Sequence, residues 1–280
     1  MTELAPDILA ALAPLAREQR LGVISDIDGT LSQIAPTPAA ARLCRNCRVY
    51  LRRLVDTTPL VAVCSGRAVG DAWTLVGVPD LLYVGNHGLE RLRGGEVVPD
   101  PRALAYAPSL AAALAELKQH PLPEGVLIEN KGVTGSIHYR LTEDEAAAAA
   151  LLAPLLQRIS EAHGLRLLPG RMIFELRPPL DINKGTAVFD LIDEFDLRAV
   201  IVLGDDVTDV DAFRALRAAG ERGVATLSVG ILSDETPMVV RETCDVTADG
   251  VAGTSAILAW LADQRETFKH TPEVRSAHVP

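Results

Sequence analysis

The sequence predicts an α/β fold, a doubly wound parallel sheet with an inserted α+β cap. Three observations carry that reading. Short apolar, β-branched runs at 21–24, 60–63 and 199–203 have the pattern of strands buried on both faces. Helix and strand patterns alternate up to about residue 84 and again after 184, as βα units with right-handed crossovers require. Between about 100 and 181 the order becomes helix, strand, strand, helix, strand, strand, with the spacing of antiparallel hairpins.

In chain order, a helix over about 3–17 leads into the strand 21–24. A helical stretch over 38–55 connects to the strand 60–63, and a short helix follows Arg67. A third strand, 81–84, ends at Gly85-Asn86-His87-Gly88. The middle segment reads as a helix at 109–119, strands at 126–130 and 136–140, a long helix at 142–163, and strands at 165–168 and 172–176. Its alanine run at 146–150 reflects helix propensity rather than low complexity. Pro99, Pro101, Pro108 and Pro178-Pro179 bound this segment as hinges. The division expected is a core of 1–100 and 182–265 and an inserted cap of 101–181. The chain is polar and without periodicity from 263, so the tail 266–280 is expected to be disordered.

The 280 residues, nearly half of them apolar, are enough for a proper core. A net charge of −10 with no dense Lys/Arg block argues against nucleic acid, which is bound through clustered cations. No stretch approaches a membrane span. The first twenty residues carry Glu3, Asp7, Arg17 and Glu18 and lack a signal peptide's apolar centre. Four cysteines fit a reduced, cytoplasmic setting. Cys44 and Cys47 form a lone C-x-x-C with no second pair to complete a zinc site, and read as two small side chains on a helix.

Four separated motifs sit where such a sheet gathers its active site, outside the carboxyl ends of the strands. They are Ser25-Asp26-Ile27-Asp28-Gly29-Thr30-Leu31, Cys64-Ser65-Gly66-Arg67, Asn183-Lys184-Gly185 and Gly204-Asp205-Asp206-Val207-Thr208-Asp209. Together they supply what phosphoryl transfer through an aspartate needs. Asp26 is the candidate nucleophile, able to form an aspartyl-phosphate. Asp28, two residues on, is placed to protonate the leaving oxygen and later to take a proton from water. Thr30 offers a hydroxyl and a backbone N–H to the phosphate, Ser65 adds a donor, and Lys184 brings a charge to a helix start. Attack of an anion on an anion also calls for a metal. Asp26, Asp28 and Asp205 are the candidate ligands for Mg²⁺, which prefers oxygen ligands with few carboxylates.

With these motifs in this order, the chain resembles the haloacid dehalogenase superfamily of aspartate-nucleophile phosphatases. Within it, the trehalose-6-phosphate phosphatase family is the one it is similar to. The narrower match rests on Gly85-Asn86-His87-Gly88-Leu89-Glu90, Glu129-Asn130-Lys131, His138-Tyr139-Arg140 and Phe174-Glu175-Leu176-Arg177-Pro178, and spans about residues 21–261. Ser25 and Val210 depart from the family pattern, which favours an apolar residue and Glu there.

The resemblance implies Mg²⁺-dependent hydrolysis of a disaccharide phosphate, trehalose 6-phosphate first. Another glycosyl phosphate such as glucosylglycerol phosphate is the alternative, and a hexose phosphomutase or a sugar-phosphate sensor are more distant ones. It favours Asp205 over Asp206 as ligand, with Asp206 and Asp209 behind it. Asp209 also reads as a helix cap. It implies that Glu129, Lys131 and Glu175 hold the sugar. Glu129 and Lys131, two apart on a strand, share one face, and such charges suit a polyhydroxylated ligand. The plain alternative for all three is cross-strand ion pairing. Arg67, Asn86 and His87, at strand ends beside the crevice, are placed to contact sugar or phosphate, and His138 reads as a satisfied sheet residue.

Overall fold

The computed structural model describes residues 4–270. α1 (Pro6–Leu15) feeds β1 (Leu21–Ser25), which is buried along its whole length. Then come α2 (Arg45–Val55), β2 (Leu60–Cys64), α3 (Val69–Val76) and β3 (Leu82–Gly85). A hairpin, β4 (Glu90–Arg93) and β5 (Glu96–Pro99), precedes α4 (Pro101–Leu104) and α5 (Ala107–Leu117). β6 (Leu127–Asn130), β7 (Gly135–His138), α6 (Glu145–Ala162), β8 (Arg166–Gly170) and β9 (Ile173–Arg177) follow. The chain returns through α7 (Lys184–Glu194), β10 (Ala199–Gly204), α8 (Val207–Glu221) and β11 (Ala225–Leu232). It closes with α9 (Met238–Thr243), β12 (Val246–Asp249) and α10 (Gly250–His270).

The large sheet has the order β12-β11-β10-β1-β2-β3-β4-β5, parallel from β12 to β3. From β1 the chain winds outward through β2 and β3, then returns to β10 on the other side of β1. β1 and β10 therefore flank the switch point, where open α/β sheets bind their ligands. Successive strand residues face opposite sides, so Val23, Val61 and Val63 pack under α1, α2, α3 and α10. Ile24, Ala62 and Cys64 pack under α7 and α8.

A second sheet, ordered β6-β7-β9-β8 and antiparallel throughout, forms the cap. Ile137, Phe174 and Leu176 join Leu110 and Leu114 of α5 and Leu152, Leu156 and Ile159 of α6 in its own core. Alternation turns the intervening residues to the opposite face. There Glu129, Ser136 and Glu175 stand side by side across three strands, because Ser136 pairs with both.

Three expectations change. The sheet is mixed rather than all parallel: β4 and β5 add an antiparallel edge, joined through Gly94 and Gly95, both at positive φ as a two-residue hairpin turn requires. The stretch 38–55 is not one helix. A 3₁₀ turn at Pro38–Ala40 is followed by extended backbone, where Leu43 bridges to Ser32, and α2 starts only at Arg45. The polar end continues as helix to His270, correcting the expected tail for 266–270, while 271–280 lie outside the described residues. Buried Arg265 holds it, donating to the carbonyls of Ala16, Glu18 and Thr57, as does Arg53, paired with Asp263 and Glu266. No helix among the described residues is long and apolar enough to cross a membrane.

Candidate active site

β1 delivers Asp26 to the switch point, where its N–H is bonded to the Leu203 carbonyl of β10 at 2.9 Å. Its carboxylate is buried and lies 2.9 Å from Lys184 Nζ. Lys184 opens α7, whose start is fixed by Asn183: the Asn183 side chain accepts from Thr186 N, and Thr186 Oγ1 accepts from Asn183 N. Lys184 also donates to Asp209 at 2.7 Å. Burial pulls the Lys184 ammonium down, but Asp209 and Asp26 more than offset it and hold it well above its usual value.

β10 ends at Gly204 and presents Asp205. Oxygens of Asp26, Asp205 and Asp209, all buried, lie within 4.8 Å of one another. Burial raises the Asp26 carboxyl well above its normal range, against Lys184 and with help from the neighbouring carboxylates. Burial and Asp209 likewise push Asp205 up to about 7. Such crowding is a donor set for a hard cation. Asp209 accepts three bonds, Oδ1 from Lys184 and Oδ2 from the N–H groups of Asp205 and Asp206, whereas Asp205 accepts two, from Thr30 and Arg171. Asp26 and Asp205 are thus the two carboxylates best able to hold Mg²⁺, matching its preference for one or two. Gly29, at φ 89°, is required here, since a Cβ would strike the Asp205 carboxylate.

Asp28, expected as a third Mg²⁺ ligand, has its carboxylate outside that cluster. Its carboxylate is gripped by Arg67 through two bonds of 2.7 Å, and Arg67 also donates to the Pro38 carbonyl. Ser65 lines the cleft and accepts from Arg67 N at 3.3 Å, which leaves its own proton to donate. Two expected contacts are corrected. Thr30 does not face a phosphate: fully buried, it gives its hydroxyl to Asp205 at 3.0 Å and its N–H to Ile27. Asn86 does not reach into the cleft either. Its amide donates to the Lys131 carbonyl and accepts from Thr134 at 2.6 Å, tying core to cap.

The cap closes the other wall. Lys131 Nζ donates to the Gly66 carbonyl at 2.8 Å, with Glu175 at 3.6 Å and Glu129 at 3.9 Å. Glu129 meets His138 at 3.1 Å, so His138 is satisfied within its sheet. Burial pushes the Glu175 carboxyl up, but His87, Arg177 and Lys131 outweigh it and keep it well below the usual range. His87, at φ 57° directly after Asn86 at φ 48°, is a buried side chain in a left-handed turn, a strain commonly found at functional sites. Hydrogen bonds from Asn86 N to Arg67 O and from His87 N to Ser65 O enforce it. Burial, with Arg177, lowers the imidazole to about 4, against 6.5 for a free one.

The folded chain therefore binds one proton fewer at His87 than the unfolded chain between pH 6.5 and 4. Stability should be lost as the pH falls through that window, by on the order of 3 kcal/mol in full. Urea unfolding at pH 7 and 4.5 checks this: His87→Gln should lose clearly less stability on acidification than the parent.

Sequence reasoning missed Arg171. From the β8–β9 turn of the cap it reaches Asp205 at 3.3 Å and Asp206 at 3.1 Å. A lone arginine at a hairpin tip carries no pattern, and only the fold reveals its partners. Asp26, Asp28, Lys184 and Asp205 on the core side and Glu129, Lys131 and Glu175 on the cap side line one cavity of about 740 Å³.

The family model described as trehalose-phosphatase matches residues 24–238. The chain belongs to the trehalose-phosphatase family, within the haloacid dehalogenase superfamily. A trehalose-phosphate phosphatase of Mycobacterium tuberculosis is 35% identical over 266 residues, covering 91% of this chain and 62% of that protein. The chain thus spans less than two thirds of the length of that relative. Among solved structures, the C-terminal domain of the C. albicans trehalose-6-phosphate phosphatase aligns with a TM-score of 0.75 at 20% identity, over 94% of this chain and 99% of that one. A trehalose-6-phosphate phosphatase related protein aligns at 0.71 and 21% identity, over 88% and 99%. At such identities the likeness of these two structures is one of fold.

Proposed function

We propose that this chain hydrolyses a disaccharide phosphate, with trehalose 6-phosphate as the substrate, to the sugar and inorganic phosphate. The observation that carries this reading is the two-ended cleft, with an aspartate–lysine cluster on one wall and two glutamates and a lysine on the other. The phosphoryl group meets the first and the sugar hydroxyls the second. Residues 101–181 act as the cap, on a core of 1–100 and 182–265. Four free cysteines support a cytoplasmic setting.

Asp26 attacks phosphorus in line, making a carboxyl–phosphate bond as the bond to the sugar oxygen breaks. Asp28 must enter this step as the acid: Arg67 releases one of its two bonds, the freed oxygen takes a proton from solvent, and Asp28 passes that proton to the sugar oxygen. Water then attacks phosphorus of the acyl phosphate while Asp28 takes its proton, which releases inorganic phosphate and returns Asp26 to the carboxylate and Asp28 to the acid. Lys184 and Ser65 orient the phosphoryl oxygens, and Thr30 fixes Asp205. Bound Mg²⁺, held by Asp26 and Asp205, would supply the positive charge that offsets the repulsion between carboxylate and phosphate. Arg171 brings a cap-borne charge to the same end of the cleft.

The test is phosphate release from a panel of sugar phosphates, with and without Mg²⁺. Preference for trehalose 6-phosphate and loss with chelator are expected, and equal rates across the panel would refute the substrate. Within that assay, Asp205→Ala should raise the Mg²⁺ concentration needed far more than Asp206→Ala. Both carboxylates meet Arg171, but Asp205 shares the oxygen cluster with Asp26 and Asp206 does not. The reverse order would exchange the two roles.

A further inference from the structure

The C-x-x-C of α2 is not absorbed by the cleft chemistry, and its placement is informative. Cys44 is the N-cap of α2 and half-buried, while Cys47 sits one turn in and is fully buried. Side chains three apart at a helix start lie about 5–6 Å apart at Cβ, within modest rearrangement of disulfide geometry. The two thiols and the Ser255 hydroxyl of α10 lie close enough to act on one another's titration. Cys44 also lines an open groove of about 1080 Å³ between α2 and α10, beside Tyr50 and Trp260, so a small reagent can reach it. The Cys44 side chain makes no capping hydrogen bond to the first turn of α2.

We propose that Cys44 and Cys47 form a redox-active dithiol that closes reversibly to a disulfide under a low-molecular-weight disulfide such as oxidised glutathione. Cys44 is the attacking sulfur: its thiolate displaces one glutathione thiolate and forms a mixed disulfide. Cys47 then loses its proton and attacks the Cys44 sulfur, expelling the second glutathione. The sum is two protein thiols and one glutathione disulfide going to one protein disulfide and two glutathione thiols. The asymmetry of the pair supports this order. Burial pushes the Cys44 thiol up, but the main chain of Cys47 and Asn46, the Cys47 thiol and Ser255 together bring it below its ordinary value. Burial and Cys44 drive Cys47 upward.

Closure should be felt at the catalytic cleft. Cys44 N–H is bonded to the Leu31 carbonyl at 2.9 Å, and Leu43 bridges to Ser32. The loop that follows, Ile34 to Pro38, lines the cleft, and Ile34, Ala35 and Pro36 line the groove as well. One loop thus separates the dithiol from the site, a relation that stands whatever substrate the cleft takes.

The experiment exposes the full chain to a series of glutathione redox buffers, blocks remaining thiols with a maleimide, and maps the peptides by mass spectrometry. The parent should gain a 44–47 disulfide, reversed by dithiothreitol, while Cys64 and Cys244 stay as thiols. Cys47→Ser should stop at glutathione on Cys44, at a rate about tenfold or more above any reaction of Cys47 in Cys44→Ser. A dithiol that stays reduced throughout, or Cys47 reacting as fast as Cys44, overturns the proposal. Hydrogen exchange of residues 31–38 should change on oxidation in the parent and not in the double serine variant. Unchanged exchange in an oxidised parent removes the link to the cleft.

Discussion

Asp26→Asn should abolish phosphate release, by on the order of 10⁴-fold or more, and leave the fold intact. An amide has no charge to direct at phosphorus and cannot give a stable acyl phosphate. The folded state should tolerate the change well. Burial and the carboxylates of Asp209, Asp205 and Asp28 make an ionised Asp26 costly, and Lys184 keeps its 2.7 Å partner Asp209. A thermal midpoint equal to or above the parent's is expected, as for sites held against their stability optimum. Asp28→Asn is the companion variant. Its loss on a sugar phosphate should be about 10²- to 10⁴-fold, since the leaving alkoxide then departs without a proton. An activated aryl phosphate, whose leaving group needs no proton, should be partly spared in its first step. Equal activity of Asp28→Asn and parent on sugar phosphates would refute its acid–base role.

What the sequence disclosed follows from the kind of signal each residue carries. Parallel strands buried on both faces are nearly all apolar, so β1, β2 and β10 stand out as runs, and the motifs after them fall at the switch point without further argument. The alternation in β6, β7 and β9 likewise put Glu129 and Glu175 on one face. The hairpin of β4 and β5 is hidden because β4 is rich in charge and β5 is exposed, so neither shows an apolar run, although Gly94-Gly95 is a usable turn signal. The end of α10 was hidden because its anchor is Arg265, a charged residue that is buried through three carbonyl partners no local pattern reveals.

At the site, residue type gave the chemistry but not the pairing. Asp26, Lys184 and Asp205 converge as their motifs imply, and Asp209 proves to be the hub that fixes Lys184 and the start of α8. Thr30 and Asn86 have the look of ligand contacts in the sequence because hydroxyls and amides at strand ends so often are. Both instead spend their hydrogen bonds inside the protein, on Asp205 and on the cap. Such choices depend on distances across 48 and 175 residues of chain, which no window of sequence contains.

The second large effect separates sugar recognition from cap architecture. Glu129 lines the cleft and is engaged by His138 and more loosely by Lys131, so its removal leaves no deeply buried charge alone. Glu129→Ala should lower kcat/KM for the disaccharide phosphate by about ten- to a hundred-fold, the worth of a charged hydrogen bond of about 1.5–3 kcal/mol. Because binding energy remote from phosphorus also orients the reacting group, kcat can fall with it. A small aryl phosphate never reaches this wall, and its hydrolysis should be unchanged or faster. Glu175 needs a gentler substitution. It is buried between His87, Arg177 and Lys131, and alanine would strand two cations, at about 3–5 kcal/mol. Glu175→Gln keeps the volume and one acceptor, and should show the same selective loss on the disaccharide phosphate. A matching loss on both substrates for Glu129→Ala would mean that these residues hold the cap against the core rather than read the sugar, and the assignment of a disaccharide phosphate would then lose its support.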